Sequence, residues 1–169
     1  DEVKVFFPEA HRTLLHYLPE DKRDDLIKNY SELVFSNDLV ISGPASIAWN
    51  QFEGGLLKLL PQVEENKTLT DEDIQNEIAR ARVQLHFIKD KCFIDGKKIL
   101  VEVKKLKDIP TTIIQGRYDM VCPPITAYEL HQHMPHADFI IVPDAGHSAS
   151  EPSMTHELIK ATNNYRILS

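Results

Sequence analysis

The sequence predicts an α/β fold in which two adjacent parallel strands and their helices follow an all-helical domain. Between Asp108 and Pro152 the chain reads strand, charged loop, helix, strand, charged loop. Ahead of Ile109-Pro110 the apolar residues recur at helical intervals instead. A strand, helix, strand crossover makes parallel neighbours and sets their C-terminal loops side by side at one edge of the sheet. The expected division is helices over 1–108 and the α/β part over 109–169.

Taken in order, Pro8 to Tyr17 reads as a short helix with Leu14, Leu15 and Leu18 at helical spacing, ending before Pro19. A second helix is expected from Pro19-Glu20-Asp21, whose acids suit a first turn, through the stripe Leu26, Ile27, Tyr30, Leu33 and Val34 to Ser36-Asn37. Ser42-Gly43-Pro44 reads as the cap and start of a third, with Ile47, Trp49 and Phe52 as its bulky apolar positions and Glu53 beside them. Asn66 to Thr70 is a polar linker, and Thr70-x-x-Asp73 is a capping box opening a long helix through Ile74, Ile78, Ala81, Val83 and Leu85 toward Phe87. Phe93-Ile94-Asp95-Gly96-Lys97 carries the Asp-Gly turn signature, and Ile99 to Leu106 reads as a short helix despite its β-branched residues.

The α/β part then begins. Thr111 to Gly116 is β-branched and apolar and runs into Arg117-Tyr118-Asp119, so an acid stands where a strand ends. Ile125 to Met134 is a helical run behind Pro123-Pro124, and Asp138 to Val142 is the second strand. Asp144-Ala145-Gly146-His147-Ser148 follows, so a histidine also stands at a strand end, and Met154 to Leu168 closes the chain as a helix.

Composition narrows the function. A formal net charge of −7, with no basic stripe interleaved with aromatics, speaks against a nucleic-acid partner. No apolar run approaches the ~20 residues of a membrane span, and Asp1-Glu2-Val3-Lys4 lacks the pattern of a signal peptide, so a chain without membrane contact is expected. The missing initiating Met implies processing or a longer parent chain. Cys92 and Cys122 show no Cys-x-x-Cys spacing, which fits a reducing, cytoplasmic setting. Among eight histidines, His131 and His133 are two apart and His11 and His16 five apart, spacings that do not gather metal ligands on one helix face; no metal is expected.

A nucleophilic serine needs a base for its proton, and the base needs a buried acid to hold its tautomer. Asp119 and His147 have the types and order for acid and base; the bland alternative is a helix-capping acid and a loop histidine. No Gly-x-Ser-x-Gly occurs, and no His-Gly-Gly-Gly; the serines at 31, 36, 42 and 46 lie in helical or capping contexts, and Ser148, Ser150 and Ser153 crowd the histidine loop itself.

The loop stretches Gln115-Gly116-Arg117-Tyr118-Asp119-Met120-Val121-Cys122-Pro123-Pro124 and Val142-Pro143-Asp144-Ala145-Gly146-His147-Ser148-Ala149-Ser150-Glu151-Pro152 resemble the proline iminopeptidases, serine peptidases of the α/β-hydrolase fold. The likeness is to their C-terminal half and extends to Leu18-Pro19-Glu20, Ala48 to Gly54 and Ala81 to Phe87. It implies the last two parallel strands and helices of the hydrolase fold behind a helical cap over 1–108, with Asp119 as triad acid and His147 as base. It further implies removal of an N-terminal proline from peptides through an acyl-enzyme without cofactor, the nucleophile lying in an N-terminal half that these 169 residues do not include. The cap glutamate matching Glu53 would hold the substrate's amino group, with Trp49 and Phe52 walling a pocket for the pyrrolidine ring. Where the family has a second glutamate this chain has Gln84, a departure that bears on selectivity. Two other readings stay open: a non-enzymatic fragment acting through binding, and another capped hydrolase such as an epoxide hydrolase or esterase. An unpaired strand edge at Ile113 and Ile114 also leads to an expectation of homo-oligomers.

Overall fold

The computed structural model describes residues 3–60 and 68–166. They form two compact units, one of residues 3–55 with 68–94 and the other of residues 56–60 with 95–166. Asn66 and Lys67 of the expected linker lie outside the described residues, as does Leu168.

The first unit is helical. Helix α1 (Pro8–Tyr17) opens on a proline, whose missing N–H is no loss in a first turn, and ends where Leu18 turns extended ahead of Pro19. Helix α2 spans Leu26–Val34 and starts later than the acids at 20 and 21 suggest; Glu20–Lys22 makes only a 3-10 turn. The Asp25 carboxylate takes the N–H of Lys28 at 3.0 Å, and Asn29 Nδ2 ties back to the Lys22 carbonyl at 2.7 Å, so the better cap sets the start.

Helix α3 (Leu39–Leu56) likewise departs from the Ser42 start. Asp38 supplies the entry, its carboxylate accepting from Val40 N–H at 2.9 Å and its carbonyl from Ser42 N–H at 2.9 Å. Pro44 therefore lies inside the helix, where it removes the donor for the Val40 carbonyl; Val40 is 82% exposed, so water can replace that donor. Helix α4 (Asp71–Lys89) begins on the capping box, with Asp73 N–H on Thr70 Oγ1 and Thr70 N–H on the Asp73 carboxylate. Leu14, Leu18, Tyr30, Val34, Ala45, Trp49, Ala81 and Leu85 form the core of this unit. Arg82 donates to the carbonyls of Val34 and Ser36 at 3.0 and 2.9 Å, giving partners to the end of α2.

In the second unit the Asp-Gly pair starts a helix rather than making a turn. Asp95 caps α5 (Gly96–Glu102) by accepting from Lys97 N–H at 3.0 Å, and a 3-10 turn over Val103–Leu106 extends it, so the helical reading of 99–106 holds. Strand β1 (Thr112–Gly116), helix α6 (Pro124–His133), strand β2 (Asp138–Val142) and helix α7 (Pro152–Tyr165) follow. The strands pair in parallel, Thr112 opposite Asp138 and Gly116 opposite Val142, so both end level and their following loops emerge together. Two small clusters support the sheet: Val103, Met134 and Ala137 with Ile113 and Leu130, and Val142, Ala145 and Met154 with Ile114 and Leu158. Through Val103, residues 95–108 thus pack with the α/β unit.

Candidate active site

Gly116 ends β1 and Val142 ends β2, and the two loops cross at the glycine. A Cβ on Gly116 would lie 2.0 Å from the Gly146 carbonyl oxygen and 2.8 Å from that of Ala145, so only glycine lets the loops touch. Arg117 N–H donates to the Val142 carbonyl at 2.9 Å and Tyr118 N–H to that of Ala145 at 3.0 Å. This lacing brings Asp119 and His147 into contact: His147 Nδ1 lies 2.9 Å from Asp119 Oδ2 and 3.1 Å from Oδ1.

Asp119 is 7% exposed and its carboxylate is well supplied with donors. Oδ1 accepts from the N–H groups of Val121 at 3.0 Å and Cys122 at 2.7 Å, and Gln115 Nε2 lies 3.4 Å from Oδ2. Gln115 is itself buried on β1 and also donates to the carbonyls of Gly116 and Cys122, which holds the turn closed around the acid. The cost appears on the neighbouring thiol: burial first, then the charge of Asp119, push Cys122 up from the ordinary thiol range.

An ionised carboxylate only accepts hydrogen bonds, so the Nδ1 facing Asp119 carries the ring proton of a neutral His147. Nε2 then bears the free lone pair, and the His147 side chain is 35% exposed, open enough for a reacting group to approach. The backbone of His147 is fixed separately: its N–H and that of Ser148 donate to one acceptor, the Leu57 carbonyl, at 3.0 and 2.8 Å. Glu151 Oε1 takes the Gly146 N–H at 2.8 Å, and Oε2 takes the Leu59 N–H at 3.3 Å. Sequence reasoning missed Gln115, Glu151 and the Leu57–Leu59 strap as parts of this site. The Gln115 spacing, two residues ahead of the loop on a strand, was a readable signal; the strap carries none.

The four remaining candidates lie in the helical unit. Trp49 is 3% exposed, packs its ring 5.5 Å from that of Tyr30, and donates from Nε1 to Gln84 Oε1 at 3.1 Å. Trp49 and Gln84 are therefore partners across α3 and α4, with the indole a core side chain. Phe52 is half-buried and lines a cavity of about 190 Å³ with Ala10, Thr13, Tyr17, Ala48 and Gln51. Glu53, the next residue on α3, is half-buried. Among the described residues no group of three or more His, Cys, Asp or Glu is arranged to hold a metal, and no helix is long and apolar enough to cross a membrane.

The model of the α/β hydrolase fold family matches residues 15–152. The chain is 34% identical over 166 residues to a protein of Leptolyngbya boryana named probable proline iminopeptidase, covering 98% of this chain and 51% of that protein. It is 35% identical over 166 residues to the proline iminopeptidase of Arabidopsis thaliana (97% and 43% covered) and 33% identical over 160 residues to that of Xanthomonas citri (94% and 50%). The chain thus spans about half the length of the curated relatives it matches. A solved structure of a serine hydrolase involved in carbazole degradation aligns with a TM-score of 0.42 at 27% identity, over 59% of this chain and 36% of that one.

Proposed function

The chain belongs to the α/β-hydrolase fold family, and from that premise we propose that it supplies the acid, the base and the substrate-binding helices of a serine aminopeptidase that releases N-terminal proline from peptides. The observation that carries the reading is the 2.9 Å contact between His147 Nδ1 and a buried Asp119 at the ends of two adjacent parallel strands. In this reading Nε2 of His147 takes the proton of a serine hydroxyl as it attacks the peptide carbonyl, and returns it to the leaving amine. Asp119 keeps the proton on Nδ1 and stabilises the imidazolium. No Gly-x-Ser-x-Gly occurs among the 169 residues, so the nucleophile comes from sequence outside them and the chain by itself is inert.

Glu53 is the proposed partner of the substrate's ammonium group, the α-amino pKa of about 7.7 to 8.0 leaving that group largely cationic near neutral pH. Phe52 contributes apolar surface, while Trp49, being buried, acts by holding Gln84 through its indole N–H. A neutral Gln84 leaves one negative charge fewer for that cation than a glutamate would.

The test is kcat/KM for proline anilide and its N-acetylated counterpart, measured on the whole protein that carries this sequence. The free-amine substrate is expected to be preferred. Glu53→Gln is expected to remove about 1.5 to 3 kcal/mol of that preference, the range of a charge-assisted hydrogen bond. Equal loss on both substrates would assign Glu53 a structural role, and proline release by the isolated 169-residue chain that disappears in His147→Ala would refute the outside nucleophile.

A further inference from the structure

We propose that Glu151 is a positioning residue for His147, pinning the base loop to the strap that follows α3. This rests on reading His147 as a base. The observation is the direction in which the carboxylate turns. Glu151 stands at the N-cap of α7, where an acid ordinarily takes the helix's own N–H groups, yet its side chain makes no such bond. It reaches instead to Gly146 N–H at 2.8 Å, one residue before His147, and to Leu59 N–H at 3.3 Å, 92 residues away in sequence. The strap returns the contact, its Leu57 carbonyl accepting from His147 and Ser148.

Three successive N–H groups of the base loop, at 146, 147 and 148, are therefore held by acceptors outside regular secondary structure. Gly146 is buried, and a Cβ there would meet Leu59 N at 2.9 Å and Glu151 Oε1 at 3.1 Å, so the loop backbone packs directly against the clamp. Asp119 orients the imidazole ring, but it cannot fix the backbone from which the ring hangs. A misplacement of about 1 Å at a catalytic group can cost roughly a hundredfold in rate.

The chemistry of the clamp makes a specific demand. Two divergent N–H donors need two acceptor oxygens, which a carboxylate has and an amide of the same length lacks. In Glu151→Gln one oxygen keeps one donor while the amide NH2 faces the other, so this isosteric change breaks half of the clamp. Glu151→Ala breaks all of it and leaves the buried Gly146 N–H unpaired.

The experiment uses NMR on the whole protein and needs no substrate. In the native protein the His147 Nδ1 proton, facing Asp119 at 2.9 Å, is expected to give a slowly exchanging downfield signal. Its exchange is expected to accelerate tenfold or more in Glu151→Ala and by an intermediate factor in Glu151→Gln, while Ser153→Ala, which removes a neighbouring bond to Asp144 (2.7 Å), leaves it unchanged. On proline anilide the Glu151 variants are expected to lose kcat, by ten- to a hundredfold, at constant KM. Wild-type exchange in both Glu151 variants, or equal acceleration in Ser153→Ala, overturns the proposal. An exchange difference without any proline release supports it and counts against the peptidase reading alone.

Discussion

In the helical unit the buried cluster is made of large side chains, Leu14, Leu18, Tyr30, Val34, Trp49 and Leu85, closing against one another across α1 to α4. The α/β unit has instead two small clusters whose members include Val103, Ala137, Val142 and Ala145, and its two loops meet backbone on backbone where Gly116 faces Gly146. Polar groups follow the same division. In the helical unit the buried Asn50 ties α3 to α4, donating to the Glu77 carbonyl at 2.9 Å. In the α/β unit the polar groups converge on two side chains, Asp119 and His147. Burial of apolar area stabilises the first unit, and the second spends its hydrogen bonds on geometry. Substitutions in the helical core should therefore register as lost stability, and substitutions in the two strand-end loops as lost activity of the proposed kind.

The largest effect is expected at the acid. Asp119→Asn keeps an oxygen for the N–H groups of Val121 and Cys122 but turns an amide donor toward His147, which favours the wrong tautomer. On the proposed reading, turnover of proline anilide by the whole protein should fall by about 10⁴, the loss that follows when a triad acid becomes its amide, with the melting temperature little changed. A fall in melting temperature comparable to that of a core truncation would erase the contrast between the units.

Trp49→Ala is the counterpart in the helical unit and should cost about 3 to 5 kcal/mol in denaturant unfolding, through the lost ring and the cavity left behind. It also strands the Gln84 side chain, so Trp49→Phe, which retains much of the volume, separates packing from the 3.1 Å hydrogen bond. A loss below about 1 kcal/mol in Trp49→Ala would mean the indole is not a core element.

The smallest and sharpest is Tyr30→Phe. Tyr30 is fully buried, its hydroxyl donates to the Leu14 carbonyl at 2.8 Å, and burial raises its pKa beyond the ordinary phenol range. Leu14 lies in the last turn of α1, and the amide four residues on, Leu18 N–H, is bonded to Leu15 instead. Deleting the hydroxyl should therefore cost about 1 to 3 kcal/mol by leaving a buried acceptor short of a partner, measured as a lower urea midpoint with an unchanged slope.

What the sequence determined by itself is whatever rests on short range. The crossover from β1 to β2, the capping box at Thr70 and Asp73, the end of α1 before Pro19, and the placing of Asp119 and His147 at consecutive strand ends all follow from residues within a turn or a strand of each other. Where two local signals competed, the cap whose side chain accepts a helix N–H prevailed. Asp25 displaced the acids at 20 and 21 as the start of α2, Asp38 displaced Ser42 at α3, and Asp95 capped α5 where Asp-Gly suggested a turn. Long-range contacts decided the rest. Trp49 and Gln84, 35 residues apart, proved to be each other's partners, and Glu151 turned from its own helix to an amide 92 residues away. A carboxylate can satisfy any N–H within reach, and which ones come within reach is settled by the fold and not by neighbours along the chain.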